Sequence, residues 1–150
     1  MNLGEAMRPS KHRTYMKMAK DLAERSTCPR AIKLGGVGAI LLELDGGRPL
    51  GFGYCGSKPG EPHCLDDGCL IGPDGGCVRT VHAEVNAFDW MRPSDKRKVL
   101  YTTLSPCLGC LARAASENTQ LIVFEQQYRI FDPVREEAAR LGIELLRLDP

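Results

Sequence analysis

The sequence predicts an α/β domain, one mixed sheet covered by helices. Two observations carry this. From residue 82 onward, segments of helical period alternate with short apolar, β-prone runs. Ahead of them, two further β-prone runs flank a glycine pair, the pattern of a hairpin. Alternating helices and strands give parallel neighbours, and a hairpin adds an antiparallel pair. No internal repeat or linker divides the chain, so residues 1–150 are expected to form one domain.

Tyr15, Met18, Ala19, Leu22 and Ala23 recur at helical spacing and place the first helix at about 11–25. Residues 1–33 hold eight Lys or Arg against three acids, either a solvated helix face or a local field for an anionic substrate. Residues 37–44 and 49–54 are the hairpin strands around Asp45-Gly46-Gly47-Arg48. Residues 56–80 have no apolar period but carry six glycines, three prolines and three cysteines. A loop of that length inside a compact domain needs something to order it, and metal is the candidate. A helix at 82–91, a strand at 99–104, a helix at 107–116 and a strand at 121–124 follow. Asp132-Pro133 reads as an N-cap with Pro at the first helical position, opening a helix over 133–141 that stops at Gly142. Residues 143–148 are the last strand.

With 43% hydrophobic and 26% charged residues, the chain is neither disordered nor collagen-like nor low-complexity. A net charge of +1 gives no global basic field for nucleic acid. A polynucleotide enzyme also needs stacking aromatics along a basic groove, and one Trp, four Tyr and four Phe are few for that. Met1–Lys11 lacks the apolar core of a signal peptide, and the apolar stretch Val37–Leu42 is far too short to span a bilayer. The expected location is therefore the cytoplasm, without a membrane partner, where thiols stay reduced. The seven cysteines are an odd number, which excludes complete internal pairing. In a reduced compartment they point to metal binding, catalysis or burial.

His82-Ala83-Glu84 opens one helix and Pro106-Cys107-Leu108-Gly109-Cys110 opens another, directly after a strand. Neither piece is specific alone. Together, two thiolates and one imidazole are three zinc ligands, leaving the fourth tetrahedral position for water, as a catalytic zinc requires. Cys107 and Cys110 are three apart and share a helix face. Glu84 is then available to carry protons between that water and the substrate. The competing reading is a closed zinc knuckle, which has no use for Glu84 or for an open position.

The pattern matches the H-x-E…P-C-x-x-C signature of zinc deaminases. More specifically, the chain resembles the deoxycytidylate (dCMP) deaminase family, including its phage, bacterial and late-competence operon members. The resemblance runs through Arg25-Ser26-Thr27-Cys28, Val37-Gly38-Ala39-Ile40, Gly53-Tyr54-Cys55-Gly56, His63-Cys64, and Cys77-Val78-Arg79-Thr80-Val81-His82-Ala83-Glu84-Val85-Asn86-Ala87. It continues through Leu100-Tyr101-Thr102-Thr103-Leu104-Ser105-Pro106-Cys107 and covers roughly residues 13–148. It implies a three-layer α/β/α cytidine-deaminase-like fold with a five-stranded mixed sheet. It also implies zinc-dependent hydrolytic deamination of dCMP to dUMP and ammonia, feeding dTMP synthesis. A homohexamer, dCTP and dTTP as effectors, and Mg beside the allosteric nucleotide are implied in the same way.

Some family members carry a second, structural zinc at positions matching Cys28 and Cys64. The resemblance therefore implies a closed site of Cys28, Cys64, Cys69 and Cys77, with His63 as the alternative to Cys69. The competing reading is idle or buried thiols. Three features depart from the family pattern: Cys55 replaces an asparagine expected to contact the deoxyribose, Pro29–Gly36 is longer than usual, and Ala112 stands where many members have Lys. The thiol is a poor hydrogen-bonding group, so Cys55 opens the alternative of another cytosine derivative, a 5-substituted dCMP or a nucleoside. A third reading is a catalytically inactive, zinc-stabilised binding module, against which Glu84 argues.

Further substrate contacts are expected from position and chemistry. The Ser105 carbonyl is placed for the exocyclic amine, and the Ala83 amide, at a helix N-terminus, for the base carbonyl. Tyr128 either stacks on the pyrimidine or is an ordinary surface or core tyrosine. Arg25, Ser26 and Thr27 suit a 5′-phosphate, although Arg25 also stands at i+4 from Asp21. Asn86 is either a nucleotide contact or a support for the site.

Overall fold

The computed structural model describes residues 7–33, 35–128 and 130–150. Helix α1 (Lys11–Ala23) starts where the Ser10 hydroxyl accepts from the Arg13 amide at 3.2 Å, a side-chain N-cap. A single turn, α2 (Pro29–Ile32), separates it from the hairpin strands β1 (Gly38–Glu43) and β2 (Pro49–Tyr54). The hairpin turn carries Gly46 and Gly47 at φ 85° and 70°, a conformation that glycine adopts without strain.

After the hairpin come β3 (Gly56–Ser57), the turn α3 (Cys64–Asp67), β4 (Thr80–Val81) and helix α4 (Ala83–Trp90). The chain finishes with β5 (Lys98–Leu104), α5 (Leu108–Ser116), β6 (Thr119–Gln126), α6 (Asp132–Leu141) and β7 (Glu144–Arg147). The main sheet has the order β2-β1-β5-β6-β7. β1 is antiparallel to β2 and β5, whereas β5, β6 and β7 run parallel through the helical crossovers α5 and α6.

Period-two alternation sorts the sheet residues onto two cores. Ala39, Leu41, Leu100 and Ile122 pack with Ala87 and Phe88 of α4, Leu111 of α5 and Val134 of α6. Ile40, Leu42, Val99, Tyr101 and Val123 pack with Met16 and Ala19 of α1. The result is the three-layer arrangement, a five-stranded mixed sheet between helices. No helix among the described residues is long and apolar enough to cross a membrane.

Three sequence expectations are corrected. The first helix ends at Ala23 rather than near 25. Asp132 is not the N-cap of α6 but its first residue; Phe131 precedes it, and the Asp132 carboxylate pairs with Arg135 at 3.0 Å. Residues 56–80 are not wholly irregular. β3 and β4 pair at the base of the excursion, Ser57 facing Thr80, and an isolated bridge joins Ile71 to Cys77. Gly142 does close α6 in the left-handed conformation, at φ 75°.

The approach of α4 to β2 is set by a glycine. A Cβ on Gly53 would stand 2.4 Å from the Ala83 carbonyl oxygen and 2.6 Å from the Ala87 nitrogen, both backbone atoms. Gly53→Ala is therefore expected to lift α4 from the sheet and destabilise the fold by ~1–3 kcal/mol, read as a lower midpoint in urea unfolding.

Candidate metal centre and substrate pocket

Two helix starts meet at one point. His82 is the residue before α4 and Cys107 the residue before α5, each in extended conformation. The His82 Nδ1 lies 3.2 Å from the Cys110 sulfur and 3.5 Å from the Cys107 sulfur. The three donor atoms fall within 4.8 Å of one another, a soft nitrogen-sulfur set that fits zinc. The Cys107 sulfur accepts from the Cys110 amide at 3.4 Å, so the helix N-terminus favours negative charge on it.

The charges agree with ligand chemistry. Hydrogen bonding from Cys110, then from His82, outweighs burial and pulls the Cys107 thiol down to about 3. The Cys110 thiol is pushed up, first by sharing its proton with Cys107 and then by burial. Cys107 holds His82 toward its protonated form against the effect of burial. Glu84 is buried, and that desolvation raises its carboxyl above the ordinary carboxylate range.

His82, Glu84 and Cys107 face a pocket of about 610 Å³, a size that suits a small organic ligand. Buried Cys28, Val37, Cys55, Glu84 and Ser105 line it, together with half-buried Tyr128. Ser105 and Tyr128 are tied together, since the Tyr128 amide donates to the Ser105 hydroxyl at 2.7 Å. Burial and the neighbouring Glu84 charge push the Cys55 thiol up to about 12, so it is neutral.

A second group lies beside the first. The sulfurs of Cys28, Cys64, Cys69 and Cys77 are within 4.8 Å of one another, with Cys28 to Cys69 at 3.9 Å and Cys64 to Cys77 at 3.6 Å. All seven cysteines are free thiols. Four sulfurs at this spacing match a closed tetrahedral zinc donor set. His63 is exposed outside this group, so the alternative to Cys69 is not the one brought together. Cys28 and Cys77 also line the pocket, which thus has sulfur on two sides.

The expected phosphate contacts lie elsewhere. The Ser26 hydroxyl is buried and accepts from the Val37 amide at 3.2 Å, tying α1 to the start of β1. Arg25 is exposed, and the Thr27 hydroxyl is buried without a hydrogen-bond partner. Neither these three residues nor Ala83 is among the residues lining the pocket.

The sequence profile of the cytidine and deoxycytidylate deaminase zinc-binding region matches residues 9–126. The chain belongs to this deaminase family. It is 33% identical over 141 residues to ComE operon protein 2 of Bacillus subtilis, covering 90% of this chain and 70% of that protein. It is 26% identical to the deoxycytidylate deaminase of Schizosaccharomyces pombe, covering 95% of this chain and 45% of the yeast enzyme. Among solved structures, the dCMP deaminase of cyanophage S-TIM5 in complex with dCMP and dUMP superposes with a TM-score of 0.74. That pair is 28% identical and covers 95% of this chain and 99% of the phage protein.

The deaminase also uses residues that the sequence left ambiguous or silent. Asn86 is a support: its Nδ2 donates to the carbonyls of Tyr54 at 2.9 Å, Val81 at 3.4 Å and Gly56 at 3.5 Å. It holds the end of β2 and the β3–β4 ribbon against the helix that carries Glu84. Arg30 and Lys33 line the pocket, and only the unusual length of 29–36 drew attention to that stretch. Asn86→Ala is expected to cost ~1–3 kcal/mol by leaving these carbonyls without their donor. Asn86→Asp is expected to cost more at neutral pH, because a carboxylate would face three carbonyl oxygens. Its folded-state pKa would stand above the unfolded value of about 3.9, so this variant loses stability as pH rises through that raised value and regains it on acidification. Thermal melts at pH 4.5 and 7.5 check the ranking and the sign.

Proposed function

We propose that the chain converts dCMP to dUMP and ammonia by hydrolysis, acting as one domain in the cytoplasm. The observation that carries this reading is the buried Glu84 carboxyl in a pocket it shares with His82 and Cys107, with Cys110 beside them. A zinc ion held by His82 Nδ1 and the sulfurs of Cys107 and Cys110 would supply the Lewis acidity that activates water at neutral pH. Glu84 takes a proton from the attacking water and passes it to ring N3. It then delivers the second proton to the amine at C4, which leaves as ammonia. The water oxygen becomes the C4 carbonyl of dUMP. Its raised pKa suits Glu84 to hold a proton between these two transfers. Ser105 and Tyr128 form a wall for the base, joined through the Tyr128 amide.

In the same reading, Cys28, Cys64, Cys69 and Cys77 hold a second, structural zinc that orders residues 56–80. Regulation by dCTP and dTTP, with Mg beside the effector, and a homohexameric assembly complete it on the strength of the family resemblance.

Cys55 favours a second reading, a 5-substituted dCMP or a nucleoside as substrate. Its neutral sulfur lines the pocket beside Glu84 and offers little hydrogen bonding to a sugar. Incubation with dCMP, 5-methyl-dCMP, CMP, deoxycytidine, cytidine and a cytosine oligonucleotide separates the readings. Release of dUMP from dCMP is expected, with Glu84→Gln lowering kcat by about 10²–10⁴. Turnover of a nucleoside alone, or of the 5-methyl compound alone, would establish the second reading. No ammonia from any substrate, with zinc bound, would leave a binding module.

A further inference from the structure

We propose that Arg30 and Lys33 are the phosphate-recognition residues of this pocket, carried on a turn that the four-cysteine group holds in place. The inference rests on the nucleotide reading above and assigns its phosphate to residues outside Arg25-Ser26-Thr27. The charged lining of the pocket is asymmetric. Glu84 is buried at its floor, beside the candidate metal ligands, whereas Arg30 and Lys33 are exposed at its mouth. A ligand with a reactive base at one end and a phosphomonoester at the other matches that order. Two cations suit its dianion, and an Arg offers five N–H donors and a Lys three.

The turn is fixed at two points. Cys28 immediately precedes α2, and Pro29 sets its first helical φ. Arg30 Nη1 donates to the Gly75 carbonyl at 2.8 Å, two residues before Cys77. Cys28 and Cys77 belong to the same group of four sulfurs, and both line the pocket. The stretches 28–33 and 75–77 thus meet at the group of four sulfurs and are hydrogen-bonded through the guanidinium. Arg30 keeps its remaining N–H groups for a ligand. A metal bound by the four sulfurs would in this way govern phosphate affinity without touching the substrate.

Calorimetry with dCMP, deoxycytidine and inorganic phosphate tests this on the zinc-loaded protein, with Glu84→Gln present in wild type and variants alike so that no ligand turns over. Wild type is expected to bind dCMP more tightly than deoxycytidine. Arg30→Ala and Lys33→Ala should each weaken dCMP by about tenfold to a hundredfold, with deoxycytidine unchanged. The double variant should erase the difference between the two ligands. Cys69→Ser, at a cysteine outside the pocket lining, should give the same selective loss. Both basic residues are exposed, so their variants carry the test even where Cys69→Ser does not fold. A dCMP preference that survives in the double variant, or that disappears with Arg25→Ala instead, overturns the proposal. If neither cytosine compound binds wild type, the substrate reading fails separately. Inorganic phosphate then decides: binding lost in the double variant supports the clamp, and binding retained there, or absent from wild type, overturns it.

Discussion

The Nδ1 of His82 and the sulfurs of Cys107 and Cys110 stand within 4.8 Å of one another, and much of the fold serves to keep them there. The three atoms come from two segments far apart in sequence, so neither can place the set alone. β5 delivers the chain to Pro106-Cys107, and α5 turns Cys110 back onto the same face. α4 must lie close enough to β2 for His82 to reach them, which the missing Cβ of Gly53 permits. The same helix start then fixes Glu84. Its burial in the pocket follows from the position of α4. A carboxyl held dry beside sulfur and imidazole resists ionisation, which is the property a proton carrier needs.

The excursion 56–80 depends on sulfur in a different way. Its hydrophobic residues Leu65, Leu70, Ile71 and Val78 are exposed, so apolar burial contributes little to its order. It is joined to the body through the β3–β4 ribbon, the Asn86 side chain, the Arg30–Gly75 hydrogen bond and the group of Cys28, Cys64, Cys69 and Cys77. Burying thiols without ligand or metal would forfeit hydrogen bonding, whereas four thiolates around one cation turn the same residues into a cross-link. Cys28 and Cys77 also line the pocket, so a metal held by the four sulfurs would order the loop and shape one wall of the pocket together.

The fold was legible in the sequence because its signals were local. The apolar, β-prone runs at 37–44 and 99–104, the glycine pair at 46–47 and Gly142 each act within a few residues, and the structure follows them. The H-A-E and P-C-L-G-C motifs were legible because their chemistry restricts what such a set can do. The grouping of Cys28, Cys64 and Cys77 came from the family resemblance, which left the fourth position between Cys69 and His63; the structure brings Cys69 to it. What escaped notice was tertiary. Ser26 reads as an oxyanion contact, but its hydroxyl bonds the Val37 backbone because α1 ends against β1. Asn86 could not be assigned because its three carbonyl partners come from three separate strands. Arg30 and Lys33 carry no motif, and only folding of the 29–33 turn against 75–77 brings them to the pocket.

The central claim is that the seven cysteines divide into two metal sites and one pocket thiol. Zinc analysis of the purified protein, combined with X-ray absorption at the zinc edge, tests it most directly. The account predicts about two zinc ions per chain. Six cysteine sulfurs and one histidine nitrogen would supply the protein ligands, so sulfur scattering near 2.3 Å dominates over nitrogen near 2.0–2.1 Å. One zinc per chain, with a nitrogen-to-sulfur ratio of one to two, would contradict it.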